Sequence, residues 1–151
     1  MRVRQAHRGF TLIELMVTLT VLAILMGVGV PSFRNFVAGQ KVKTVSQDLM
    51  SALVIARSEA IKRNATVTLA PVTADTWVSG WTVTAAPSAT TVHQQQAVSG
   101  VTITLAPSTV VFAANGRPGA TSKFQVTGTT TTKCVRVDLT GIPSSQTGTC
   151  P

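Results

Sequence analysis

A single carboxylate, Glu14, interrupts an otherwise uncharged run from Phe10 to Val30 that stops at Pro31. Placing an acidic side chain in hydrocarbon costs roughly 2.5–3.5 kcal/mol on insertion scales, so such a group is by default functional and calls for a cationic partner. The chemistry it offers is charge pairing in an apolar setting. Few other residues could do covalent or acid–base work. The remaining acids are Asp48, Glu59, Asp75 and Asp138, and His93 stands alone among Gln94, Gln95 and Gln96. No triad of nucleophile, base and acid emerges from them, no metal-ligand spacing and no Gly-rich phosphate loop. The sequence therefore predicts no enzyme, no metal and no cofactor, with His93 a solvated strand residue.

The elements that position Glu14 follow from length and charge. Phe10 to Val30 is 21 residues, enough as a helix at about 1.5 Å per residue to cross a hydrocarbon core of roughly 30 Å. The nine residues ahead of it are polar and basic, with Arg2, Arg4, His7 and Arg8, and they end in Gly9. A secretory signal carries its small-residue cleavage site after the apolar run. Here the small residue comes first, so cutting at Gly9 would remove the charges and leave the apolar segment on the mature chain. The basic start predicts a cytoplasmic N-terminus by the positive-inside rule, with everything beyond Pro31 across the inner membrane. In that oxidising compartment Cys134 and Cys150 are expected to pair rather than remain free thiols. A loop of about 15 residues closed this way is worth roughly 3 kcal/mol in the chain-entropy model.

The 151 residues leave room for one modest domain beyond that segment. The formal charge of +8 shrinks once Arg2, Arg4 and Arg8 leave with the leader, since ten basic side chains then face five acidic ones. After Pro31 the apolar residues Val42, Val45, Leu49, Leu53, Ala56 and Ala60 recur at spacings of three and four, a helix with one buried stripe. It continues the apolar helix, because Pro31 kinks a helical pattern as readily as it ends one. Lys62 and Arg63 suit the negative end of the helix dipole, and Asn64 suits a left-handed cap, so the helix should stop there.

Beyond Asn64 the period changes to two, with Val, Thr and Ile broken by Gly, Pro and Asn. Strands are predicted at 66–70, 80–85, 91–96, 101–105, 110–113, 123–127 and 134–139, with turns at Asn115-Gly116 and Thr127-Gly128. The expected class is α+β: a long N-terminal helix packed on one antiparallel sheet or a pair of them.

Gly9-Phe10-Thr11-Leu12-Ile13-Glu14-Leu15 closely resembles the start of type IV pilins and pseudopilins, whose leader ends in Gly before Phe-Thr-Leu-Ile-Glu-Leu. Three further stretches, Ala56 to Asn64, Trp77-Val78-Ser79-Gly80-Trp81 and Asn115-Gly116-Arg117, narrow the resemblance to the minor-pilin and pseudopilin branch labelled GspH/FimT/FimU. The resemblance implies a leader at 1–9, a transmembrane and assembly helix at 10–30, its amphipathic continuation at 31–64 and a β-rich head at 65–151. It implies cleavage by prepilin peptidase between Gly9 and Phe10, N-methylation of Phe10, and pairing of Glu14 with a neighbouring subunit's N-terminal amine during assembly. The partners it implies are other minor and major pilins, met through the N-terminal helix. The location it implies is the inner membrane, spanned once with the head periplasmic, and then a pilus or pseudopilus.

Two features invite a binding role. Trp77 and Trp81 flank Gly80 and could stack on a sugar or base, but residues of this kind more often anchor a sheet edge half-buried, which is the expectation here. A loose basic set, Arg117, Lys123, Lys133 and Arg136, could contact DNA phosphates without reading sequence. Relatives in this branch that bind DNA carry a C-terminal Gly-Arg-x-Arg element. The corresponding stretch here, Gly141-Ile142-Pro143-Ser144, has neither Arg, so a solvated positive face is favoured over DNA.

Overall fold

The computed structural model describes residues 9–151, and the expected leader positions Arg2, Arg4, His7 and Arg8 lie outside the described residues. Helix α1 runs over Leu12–Arg63, 52 residues with Pro31 inside. The chain divides into two compact units, one ending at Asn35 and one from Phe36 to Pro151.

The end of α1 shows why the helix stops. Asn64 takes a left-handed φ of 48°, and the amides of Asn64 and Ala65 donate to the carbonyls of Ile61 and Ala60, each at 3.2 Å. These bonds satisfy carbonyls that the helix would otherwise leave open. One turn back, the Glu59 carboxylate accepts from Arg63 Nε at 2.6 Å and lies 3.4 Å from Lys62 Nζ. The Arg63 hydrogen bond, followed by the Lys62 charge, holds Glu59 below its ordinary carboxylate value of 4.5. A group depressed on folding stabilises the fold above its unfolded value and loses that contribution as pH falls through the folded one. Glu59→Gln should therefore lower urea resistance slightly at neutral pH, and the difference from the parent should vanish in acid below the carboxylate range.

Within the second unit the predicted stripe is the spine of the core. Val42, Leu49, Leu53, Ala56 and Ala60 are wholly buried and Val45 nearly so. Eight strands follow: β1 (Val67–Thr73), β2 (Thr76–Ala85), β3 (Thr90–Gln95), β4 (Thr102–Thr104), β5 (Val110–Phe112), β6 (Ser122–Thr127), β7 (Thr132–Val137) and β8 (Pro143–Thr147). They form two antiparallel sheets, ordered β3-β2-β1-β5 and β4-β6-β7-β8. Their inner faces contribute Val67, Leu69, Trp81, Val83, Phe112, Phe124, Val126, Val135 and Val137 to one core with the helix stripe. Each large side chain removed from water there is worth about 1.5–3 kcal/mol.

The strand pattern departs from expectation at β8, β7 and β2, and β1 runs on to Thr73 rather than ending at residue 70. β8 was not predicted, because Pro-Ser-Ser-Gln-Thr has neither the alternation nor the β-branched content of a strand; it forms as a polar edge with Pro143 at its first position, where no ladder donor is needed. β7 spans Thr132–Val137 rather than 134–139, since Thr132 pairs with Thr127 across the Gly128 turn. β2 starts at Thr76 rather than at Gly80 and takes in both tryptophans. Gly80 is therefore no strand boundary. Its φ is 94°, and a Cβ there would stand 2.3 Å from the Gln95 carbonyl, so glycine permits β3 to approach β2.

That placement corrects the reading of Trp77 and Trp81. Neither is half-buried at an edge: β2 is an inner strand, and both rings are core, Trp81 with no exposed surface. Trp77 packs edge-on against Phe124 with centroids 4.7 Å apart, and its indole N–H donates to the Pro107 carbonyl at 2.7 Å. The packing role holds, and a stacking platform is ruled out by burial. His93 lies half-buried on edge strand β3 opposite Val83.

Candidate functional site

The first unit offers one cluster of the predicted site residues. Gly9, Phe10 and Glu14 stand together where α1 begins, with Phe10 75% exposed. Thr11 is the N-cap residue: its hydroxyl oxygen accepts from the Glu14 amide at 3.3 Å, while Glu14 Oε2 accepts from the Thr11 amide and hydroxyl, each at 3.4 Å. This reciprocal arrangement is a capping box, in which Ser or Thr and a Glu three residues later each satisfy a donor that the helix start leaves open. Sequence reasoning gave Glu14 only a partner in another chain; the Thr-x-x-Glu spacing that signals the local one was readable at Thr11.

Between Leu12 and Phe33 large apolar side chains are exposed at Leu12, Ile13, Leu15, Met16, Leu19, Leu22, Ile24 and Leu25, among others. Two threonine hydroxyls within this run are satisfied locally. Thr18 and Thr20 donate to the carbonyls of Leu15 and Met16, each at 2.8 Å, along their own helix. Glu14 is then the one ionisable group on a surface otherwise fit for lipid or for other helices. By length and composition α1 is able to cross a membrane.

The second unit places the remaining candidates. Cys134 and Cys150 form a disulfide, with S–S 1.99 Å and Cα atoms 5.0 Å apart. It fastens the last residues over the outer face of the second sheet, where the Cys150 amide donates to Gln125 Oε1 at 3.1 Å and Lys123 Nζ donates to the Pro151 backbone oxygen. Of the basic set, Lys123 and Arg136 sit directly opposite each other on β6 and β7. Lys133 pairs with Val126 and Thr147, so the alternation of the strand turns it to the other face, and Arg117 lies in the turn after Gly116. The four do not form one basic face. Asp138 adds a carboxylate beside this strand end, held below its ordinary value chiefly by the Thr140 hydroxyl and amide.

An exposed apolar stem opened by a capped carboxylate, followed in the chain by a helix stripe packed on two antiparallel sheets, defines a subunit of the type IV pilin class. Residues 4–30 match the prokaryotic N-terminal methylation motif. Residues 45–141 match the family described as Type II transport protein GspH, and the chain belongs to that family. Among solved structures it is similar to the type IV minor pilin FimU of Pseudomonas aeruginosa. One crystal form gives a TM-score of 0.61 at 16% identity over 73% of this chain and 90% of that one. A second gives 0.58 at 18% identity over 71% and 92%. At that identity the likeness is one of fold. No curated protein matches the chain. Pilins and pseudopilins are structural subunits, and pilins assemble with other pilins into pili. The methylation motif and the apolar helix fit a membrane-anchored member of the class.

Proposed function

We propose that this chain is a minor pilin that helps initiate a type IV pilus near its tip. The observation that carries the proposal is the exposed apolar stem with its one carboxylate five residues beyond Gly9. The order of events would be cleavage between Gly9 and Phe10 by prepilin peptidase, N-methylation of Phe10, and retention in the inner membrane with the head periplasmic. In the filament the Glu14 carboxylate would pair with the amine of a neighbouring Phe10 and set axial register. Two charges that are each costly in an apolar bundle offset one another only when subunits lie side by side.

A second reading, a minor pseudopilin of a type II secretion system, draws on the family description matched by residues 45–141. The stem serves both equally, so the system is decided outside the chain. Deleting the gene should abolish or sharply reduce twitching while secretion continues; loss of secretion with twitching intact would transfer the protein to the secretion apparatus. DNA uptake is scored in the same strain. DNA capture by the head is not part of the proposal, because Arg117, Lys123, Lys133 and Arg136 are spread over separate surfaces.

A further inference from the structure

Near the end of α1 the head carries an unpaired cation in an apolar ring. Arg57 Nε is shut off from solvent without a hydrogen-bond partner. Two tight loops shut it in: a Cβ on Gly141 would lie 3.4 Å from Arg57 Nε and 2.2 Å from the Gly116 carbonyl oxygen, while one on Gly116 would lie 3.2 Å from Arg57 Cγ and 2.6 Å from Ile61 Cδ1. Gly141 has φ 78°, so its loop reaches the helix in a conformation that side chains resist. Among the described residues no carboxylate meets this guanidinium. Glu59 is occupied by Arg63 and Lys62, and Asp138 is taken up by Thr140. Since Nε is the one Arg57 nitrogen both buried and unbonded, the Nη fork is what remains open.

On the helix ridge that carries Arg57 and on the loop that reaches it, large apolar side chains lie without cover. Val54 and Ile61, three residues before and four after Arg57 on the same helix ridge, are 51% and 52% exposed. Leu139 and Ile142, on the loop that holds Gly141, are 56% and 59% exposed. An arginine centred among apolar residues has the composition of an interface core, and a carboxylate is the bidentate acceptor its planar fork fits.

We propose that this surface docks a carboxylate-bearing, apolar segment on the head of a different subunit. The proposal rests on the assembly reading above and names a second contact, remote in sequence from Glu14. Charge argues against a second copy as the occupant. Without the leader the chain carries 10 basic and 5 acidic residues, and two of the four acids beyond Glu14 are already engaged. The apolar ring argues against a phosphate polyanion, which would gain nothing from it.

The test places a photo-crosslinking residue at Ile61 or at Ile142 in the full chain, in cells that carry its own assembly system, with Val72 at the far end of β1 as control. Both ring positions should give one discrete adduct, mapped by mass spectrometry to an Asp- or Glu-containing segment of another subunit, and Val72 should not. Arg57→Met and Arg57→Gln, which keep the packed stem of the side chain, should each cut the adduct about tenfold, and Arg57→Lys should restore part of it. Formation of the Cys134–Cys150 disulfide at unchanged subunit level shows that the variants fold. Adducts to a second copy, to lipid or to nucleic acid overturn the proposal, as does no adduct at either position or an adduct indifferent to Arg57. Normal incorporation of Glu14→Val alongside these crosslinks would fault the stem reading instead.

Discussion

Glu14→Val is expected to insert in the membrane and lose its leader normally, yet to be depleted from filaments by about a hundredfold or more. Removing one member of a buried ion pair strands the other, at a cost of about 3–5 kcal/mol. The capping box makes the experiment sharper than a single substitution would. Glu14→Gln keeps an acceptor for the Thr11 amide, as capping boxes allow, but removes the charge. Thr11→Ala keeps the charge and removes the cap, at about 1 kcal/mol of helix stability. If intersubunit pairing is what Glu14 does, Gln should fail nearly as badly as Val, and Thr11→Ala should assemble well. If Glu14 merely starts the helix, Gln should assemble and Thr11→Ala should share the defect. Quantifying each subunit in sheared filaments and in membranes separates the two.

Trp81→Ala carries the largest expected effect on the head, about 3–5 kcal/mol of stability lost, because the ring is fully buried where both sheets and the helix stripe meet. That is a large share of the roughly 5–15 kcal/mol that holds an ordinary domain together. Trp81→Phe should be far milder. The indole Nε1 of Trp81 is buried without an acceptor, so losing it removes an unsatisfied donor along with some volume. Trp77 behaves differently, since Trp77→Phe gives up the bond to Pro107. Urea unfolding of the three variants should rank Trp81→Ala as the most damaged by a wide margin.

What could be read from the sequence was whatever a local rule decides. The spacing of Val42, Val45, Leu49, Leu53, Ala56 and Ala60 located the buried face, and Lys62-Arg63-Asn64 located the helix end. The compartment implied by the basic start paired Cys134 with Cys150. The rest depends on neighbours distant in the chain. β8 is a strand because β7 offers it a ladder, not because its residues prefer one. Gly80 looked like a break because its use, admitting the Gln95 carbonyl, belongs to the next strand. Trp77 became core only when the second sheet brought Phe124 against it, with Trp81 packed beside Trp77 in the same cluster. Nothing local to the helix sets Arg57 apart; its Nε is shut in by the Gly116 and Gly141 loops, which come from far along the chain.

The stem reading reduces to the state of one end of the chain inside a filament. Tandem mass spectrometry of the N-terminal peptide of subunits sheared from the cell surface should begin at Phe10, carry one added methyl on its amine, and retain the apolar run with Glu14. A chain that still begins at Met1, or one found only as a soluble head cut free beyond Pro31, would contradict it.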